Sequence, residues 1–371
     1  MGQMQAQQWI GNATTRRRWS ILIVLVLSGS MLLDSRAQAA QGGQTDAATH
    51  ILIADQFNNR VIEVGPRHVV LWRFGDGSSI AGPHSVVAPN DAERVSDDLT
   101  LIAGTGAPAG AEPSCPQGCP DNRVMLVNKA GAIVWRYGQA GITGAGANQL
   151  NTPVCAVFLP NGHVLITDQG NQRVIEVTLR HGIVWQYGAT GAAGIGPNQL
   201  NNPNSAELLA NGNVLIADES NNRVIEVTLS GGSGGAIVWQ YPTTPDPALL
   251  NGAAFASRLP NGNTLITDSG NNRIIEVNPS GALVWQYATN ARPGSVAQPN
   301  PTRAVRLAGG DTLISDQFNH QVIEVDPTGA IVFSQGQIGT PSQGFNKLNG
   351  PYDAKVIGDF TGLTPPPSDT P

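Results

Sequence analysis

The chain has 371 residues, of which 13% are charged, with 44 glycines and 26 prolines. That composition suits short strands joined by tight turns rather than helices. The net charge of −6, with no cluster of Lys or Arg in the body of the chain, excludes nucleic acid as a partner, because such binding needs clustered cations to displace counterions.

In chain order, the first segment reads as an export signal over residues 1–39. Arg16, Arg17 and Arg18 precede an apolar run from Ile21 to Leu33, and Ala37-Gln38-Ala39 supplies the small residues of a cleavage site. The run is interrupted by Ser28, Gly29 and Ser30 and is short for a membrane span. Ordinary and twin-arginine export both fit the Arg run, and a retained N-terminal membrane anchor is the alternative to cleavage. The expected location is the periplasm, the cell surface or the medium. Residues 40–49 read as a short linker, 50–358 as the folded body and 359–371 as a Pro-rich tail.

The body repeats one line. NGHVLITDQGNQRVIEV starts at residue 161, NGNVLIADESNNRVIEV at 211 and NGNTLITDSGNNRIIEV at 261, a period of 50. A period in this range signals a repeat architecture. Within one copy, PVCAVFL (153–159), HVLITD (163–168), RVIEV (173–177) and IVWQY (183–187) read as four strands, a to d, joined by Asn/Gly turns. Their near-continuous apolar character predicts sheets covered on both faces, as in the blades of a propeller.

Complete sets start near Pro83, Pro153, Pro203, Ala253 and Pro301. Residues 50–74 supply strands b, c and d without an a, and GPYDAKVI (350–357) is an a strand with nothing after it. Together these make one further blade. The expectation is an all-β, six-bladed propeller closed by the C-terminal strand joining the N-terminal three, which hides sheet edges. A monomer is expected.

The pattern D-x-x-N-x-R occurs at Asp55/Asn58/Arg60, Asp168/Asn171/Arg173, Asp218/Asn221/Arg223 and Asp268/Asn271/Arg273. The sixth copy has Asp316 and Asn319 but Gln321, and the second keeps only Asn122 and Arg123 behind a long insertion. These lines resemble the NHL repeat of six-bladed propellers over about residues 46–358. The outer strand G-x-[IL]-V-W-Q-Y is also similar to arylsulfotransferase-type propellers.

Residues common to all blades read as structural. The Asp, Asn and Arg would close turns. Glu63, Glu176, Glu226, Glu276 and Glu324, and the aromatic series Trp72, Trp135, Trp185, Trp239, Trp285 and Phe333, would pack. Cys115 and Cys119, four apart in a Pro/Gly loop, read as a disulfide, and Cys155 as a buried small residue.

Recognition must then come from positions that differ between blades. Aligned on P-x-x-A, the channel mouth would carry His84, Val154, Asn204, Ala254, Thr302 and Tyr352, and the next tier Ser85, Cys155, Ser205, Phe255, Arg303 and Asp353. Glu207, Arg258, Arg306 and Lys355 would lie deeper. The ligand set is therefore His84, Asn204, Arg303, Tyr352 and Asp353. Arg303 beside Asp353 favours a small anionic or polyol ligand, and truncating Arg303 is expected to weaken binding while leaving the fold intact.

The function this supports is a binding module for a protein, glycan or small ligand. The rival readings are a propeller enzyme and a structural surface protein. Resemblance to arylsulfotransferases implies a central His nucleophile with Arg, for which His84 and Arg303 are the candidates. Lyases of this fold need several axial His, yet His50, His68, His163, His181 and His320 fall on other strands or turns. No cofactor is evident. Calcium on Asn204 and Asp353, as in a lactonase-like site, is the one the sequence offers.

Overall fold

In a computed structural model the structure describes residues 50–229 and 232–368. The export signal and linker expected over 1–49 lie outside the described residues. Six four-stranded antiparallel sheets follow one another, the commonest strand length being five residues, and among the described residues the only helices are single 3-10 turns between strands b and c of five blades. Blade 4 shows the unit: Pro203–Leu208, Val214–Asp218, Arg223–Val227 and Ile237–Tyr241 run from inner to outer strand. Blade 1 is composite. Pro351–Val356 pairs antiparallel with Ile51–Asp55, so the two ends of the body share one sheet.

The β-branched strands bury both faces because each blade packs between two others. Val124, Leu126 and Tyr137 of blade 2 meet Phe158, Ile166 and Ile175 of blade 3 in one such core. Each buried side chain of this kind contributes roughly 1.5–3 kcal/mol.

The D-x-x-N-x-R line is a buried clamp. In blade 3 the Asp168 carboxylate accepts from Arg173 Nε at 2.8 Å, from Asn171 Nδ2 at 2.8 Å and from the Asn151 backbone N–H at 2.8 Å. One carboxylate thus fixes strand c, the b–c turn and the entry to strand a. The clamp recurs on Asp55, Asp218 and Asp268. Gly188, after the outer strand, sits at φ 101° with the Gln172 carbonyl oxygen 2.3 Å from where a Cβ would stand, so only glycine fits.

The two irregular copies keep the clamp by other means. In blade 2, Arg123 Nε bonds Asp121 Oδ1 at 2.5 Å, two residues away on the same strand. In blade 6, Gln321 cannot pair with Asp316, and Arg292 from the preceding loop pairs with it instead.

The outer tryptophans do more than pack. The indole N–H of Trp72, Trp135, Trp185, Trp239 and Trp285 donates to Lys129, Leu179, Gly234, Pro279 and Pro327 O, each in the c–d turn of the next blade. At the seam from blade 6 to blade 1, Phe333 has no such donor and stacks on His68 with ring centroids 5.4 Å apart.

Candidate functional site

The inner strands set what faces the axis. They are Pro351–Val356, Pro89–Arg94, Pro153–Phe158, Pro203–Leu208, Ala253–Arg258 and Pro301–Arg306, in blades 1 to 6. Each shifts register against strand b between its first and third residues. That bulge turns both the second and third side chains toward the channel.

The inner strand of blade 2 starts at Pro89, not near Pro83. P-N-D-A (89–92) carries the true small residue, whereas Val86 follows Pro83. His84 is exposed, beside a surface hollow with Trp135, Arg136 and His181. It is therefore removed from the axial set and from any pairing with Arg303. Ser85 is buried off the axis, its hydroxyl donating to Ile80 O at 2.6 Å. Asn90 and Asp91 take the two positions.

The other four expected residues do converge. At the mouth, Tyr352 of blade 1 reaches Asn204 of blade 4, on the opposite side of the ring, at 2.9 Å. Thr302 Oγ1 donates to the Tyr352 carbonyl at 2.6 Å. Beneath this bridge lie two cations and two carboxylates. Arg303 Nη2 is 2.8 Å from Asp91 and its Nε 2.8 Å from Asp353. Lys355 Nζ is 2.5 Å from Asp91 and 2.7 Å from Asp353. The Arg303 guanidinium also covers the Phe255 ring at 4.1 Å. Burial alone would raise the Asp91 carboxyl, but Lys355 and Arg303 bring it down to about 2. Arg303 is only 2% exposed, so its removal would leave buried charge unbalanced rather than spare the fold. Cys155, beside this cluster, is pushed up to about 12 by burial and by Asp91, and so stays a thiol.

The lowest tier is Glu93, Glu207 and Lys355. Arg258 and Arg306, expected there, point between blades instead. They pair with Glu226 at 3.0 Å and Glu276 at 2.9 Å and lie over Trp239 and Trp285. Burial pushes the Glu93 carboxyl up to about 8 and raises Glu207. The tail closes this end. Thr364 is buried, and its N–H and hydroxyl both reach the Glu207 carboxylate, at 2.9 and 2.8 Å.

Above the bridge lies a largely buried network of amides that includes the carboxylate of Glu219. Gln317 donates to Gln56 and Gln56 to Asn90, both at 2.7 Å, while Asn204 and Gln169 donate to Glu219 at 2.7 and 3.3 Å. Beside them stands the insertion of blade 2. Its strands, Leu99–Ala107 and Cys119–Asn128, run 9 and 10 residues, and Cys115 and Cys119 are joined near the tip. A groove of about 480 Å³ lies between this hairpin and the mouth. Sequence reasoning missed the groove, Asn90, Asp91 and Glu93; the P-N-D-A match was the signal available.

Both metal arrangements offered by residue type have ligand groups engaged elsewhere in the protein. Asn204 and Asp353 are bonded as above. Glu112 approaches Cys115 and Cys119, but the two sulfurs are bonded to each other and Glu112 accepts from Ser79 Oγ at 2.7 Å. No helix among the described residues is long and apolar enough to cross a membrane.

These features define a six-bladed propeller with a plugged axis. No protein-family model matches the chain, and no curated protein matches it. Solved structures do. One is a protein of unknown function from Bacteroides caccae, with TM-score 0.57 and 14% identity, covering 84% of this chain and 99% of that one. Another is a chain of a nidogen/laminin complex, with TM-score 0.50 and 12% identity, covering 77% and 92%. Virginiamycin B lyase from Staphylococcus aureus aligns with TM-score 0.44 and 16% identity over 69% and 75%. At these identities the likeness is one of fold.

Proposed function

We propose that the chain is a recognition module that binds its ligand or partner on the end of the ring carrying the channel mouth and the b–c turns. The observation supporting this is the Tyr352–Asn204 bridge over the Arg303, Asp91, Asp353 and Lys355 cluster. The charged groups of the axis satisfy one another beneath a closed mouth, so they are structural. The b–c turns above them open on Gln56, Gln169, Glu219, Ser269 and Gln317, so this end of the ring is polar and not the same in every blade. An exported setting, read from residues 1–39, belongs to the same proposal.

The test is hydrogen exchange of the purified protein with and without the hits of a screen of glycans, peptides, aryl sulfates and lactones. Protection is expected in the b–c turns at 56–59, 169–172, 219–222 and 317–320. Protection confined to the a–b turns at 160–163 and 210–213 would overturn the choice of face. Chemical conversion of a hit would overturn the non-catalytic reading.

A further inference from the structure

We propose that the groove between the blade-2 hairpin and the channel mouth binds a neutral, polyhydroxylated ligand, in the form of a short uncharged oligosaccharide. This rests on the binding face assigned above and narrows it.

The groove is built into the fold. In the other five blades the clamp Asp ends strand b, and its cation, the first residue of strand c in four of them and Arg292 in blade 6, leaves a short 3-10 turn between the two strands. In blade 2 the Asp has moved to strand c as Asp121, and Gly104 stands where the others have Asp. The clamp survives, so the turn is free to lengthen into a disulfide-closed hairpin. Its volume of about 480 Å³ falls within the range of small-molecule sites.

The lining selects the ligand. Among the described residues, no side chain lining the groove is charged. A charged ligand would lose water there without gaining a counterion. The available polar atoms are of both kinds. Asn90 is only 5% exposed; its Oδ1 is taken by Gln56, and its Nδ2 has no partner among the described residues. Gln169 commits Nε2 to Glu219 and keeps Oε1 open. Thr143 accepts from Asn122 at 2.9 Å and retains its hydroxyl proton for donation. Sugar hydroxyls both donate and accept, so one ligand type serves all three. An extended peptide adding as a strand would need a row of backbone N–H groups, and Pro108 and Pro120 on the groove wall have none.

The experiment is titration calorimetry of the intact protein with neutral cello-, malto-, xylo- and chito-oligosaccharides, and with oligogalacturonate as the charged counterpart. A neutral oligosaccharide is expected to bind and oligogalacturonate not to. Asn90→Leu and Gln169→Ala are each expected to weaken binding about tenfold. Ala210→Trp, on the opposite end of the ring, should leave it unchanged, with thermal melts confirming that all variants fold. If no neutral saccharide binds, or if binding ignores Asn90 and Gln169, the inference is overturned. Should a peptide or protein then protect the b–c turns, the assigned face stands without it; if nothing does, both fail.

Discussion

The carboxylate of Asp121 fills the space that a side chain at Gly104 would occupy: a Cβ there would lie 2.7 Å from the Asp121 carboxyl carbon. The missing Asp of the second copy is thus replaced from across the strand pair. Asp121→Ala should leave Arg123 buried and unpaired, and cost about 3–5 kcal/mol. Gly104→Asp alone should also destabilise, since it forces two carboxylates together. The double variant Gly104→Asp, Asp121→Ser is expected to recover most of the loss, because it recreates the arrangement of Asp168 and Arg173. Chemical denaturation of the three variants measures this.

Blade 6 offers the same logic from the opposite side. Arg292→Ala should remove the counter-charge of Asp316, whose carboxyl burial already pushes up to about 6. Adding Gln321→Arg restores the usual partner and is expected to return the melting temperature close to that of the parent. No recovery would mean that Arg292 does more than balance Asp316.

Arg303→Ala is expected to destabilise by about 3–5 kcal/mol, because Lys355 alone would then face both Asp91 and Asp353. A variant that melts like the parent would show that the axial cluster does not support the ring.

The lower tier predicts a pH dependence. Glu93 sits near Lys355, Glu207 and Asp91, and its carboxyl rises from 4.5 to about 8 through burial, opposed by Lys355 and the Phe158 N–H. The native state therefore holds a proton that the unfolded chain releases between these values. Stability should fall as pH climbs through that window and level off above it, by roughly 3–5 kcal/mol in all. Glu93→Gln should flatten the slope and stabilise the protein at alkaline pH. Denaturation midpoints from pH 5 to pH 9 compare the two.

Thr364→Val keeps the shape of the tail residue but removes the hydroxyl that reaches Glu207. A loss of about 1–2 kcal/mol is expected, with faster backbone exchange over 359–366. Unchanged exchange would show that the tail is held by packing alone.

The blade count and the closing strand were legible because burial on both sheet faces leaves a periodic, apolar signature in sequence. The axial set was legible where the small residue of P-x-x-A is unambiguous, which placed Asn204, Arg303, Tyr352 and Asp353. It failed at blade 2, where Pro83 precedes the true start at Pro89 and drew in His84. Arg258 and Arg306 were misplaced because strand alternation carries the sixth residue away from the channel, once the bulge has let the second and third share it. The groove was not legible at all. It depends on Asp121 substituting for a residue at another position, and repeat alignment treats that as mere degeneracy.

The tryptophan bonds give the ring a direction. Five seams carry the same indole-to-carbonyl link, always from one blade to its successor, and the sixth carries the Phe333–His68 stack. Next to that odd seam lies blade 1, the only sheet assembled from both ends of the body. The circle therefore has a clasp. Slow opening of the native protein should begin there, and a covalent tie across it would lengthen the lifetime of the closed ring more than the same tie at any other seam.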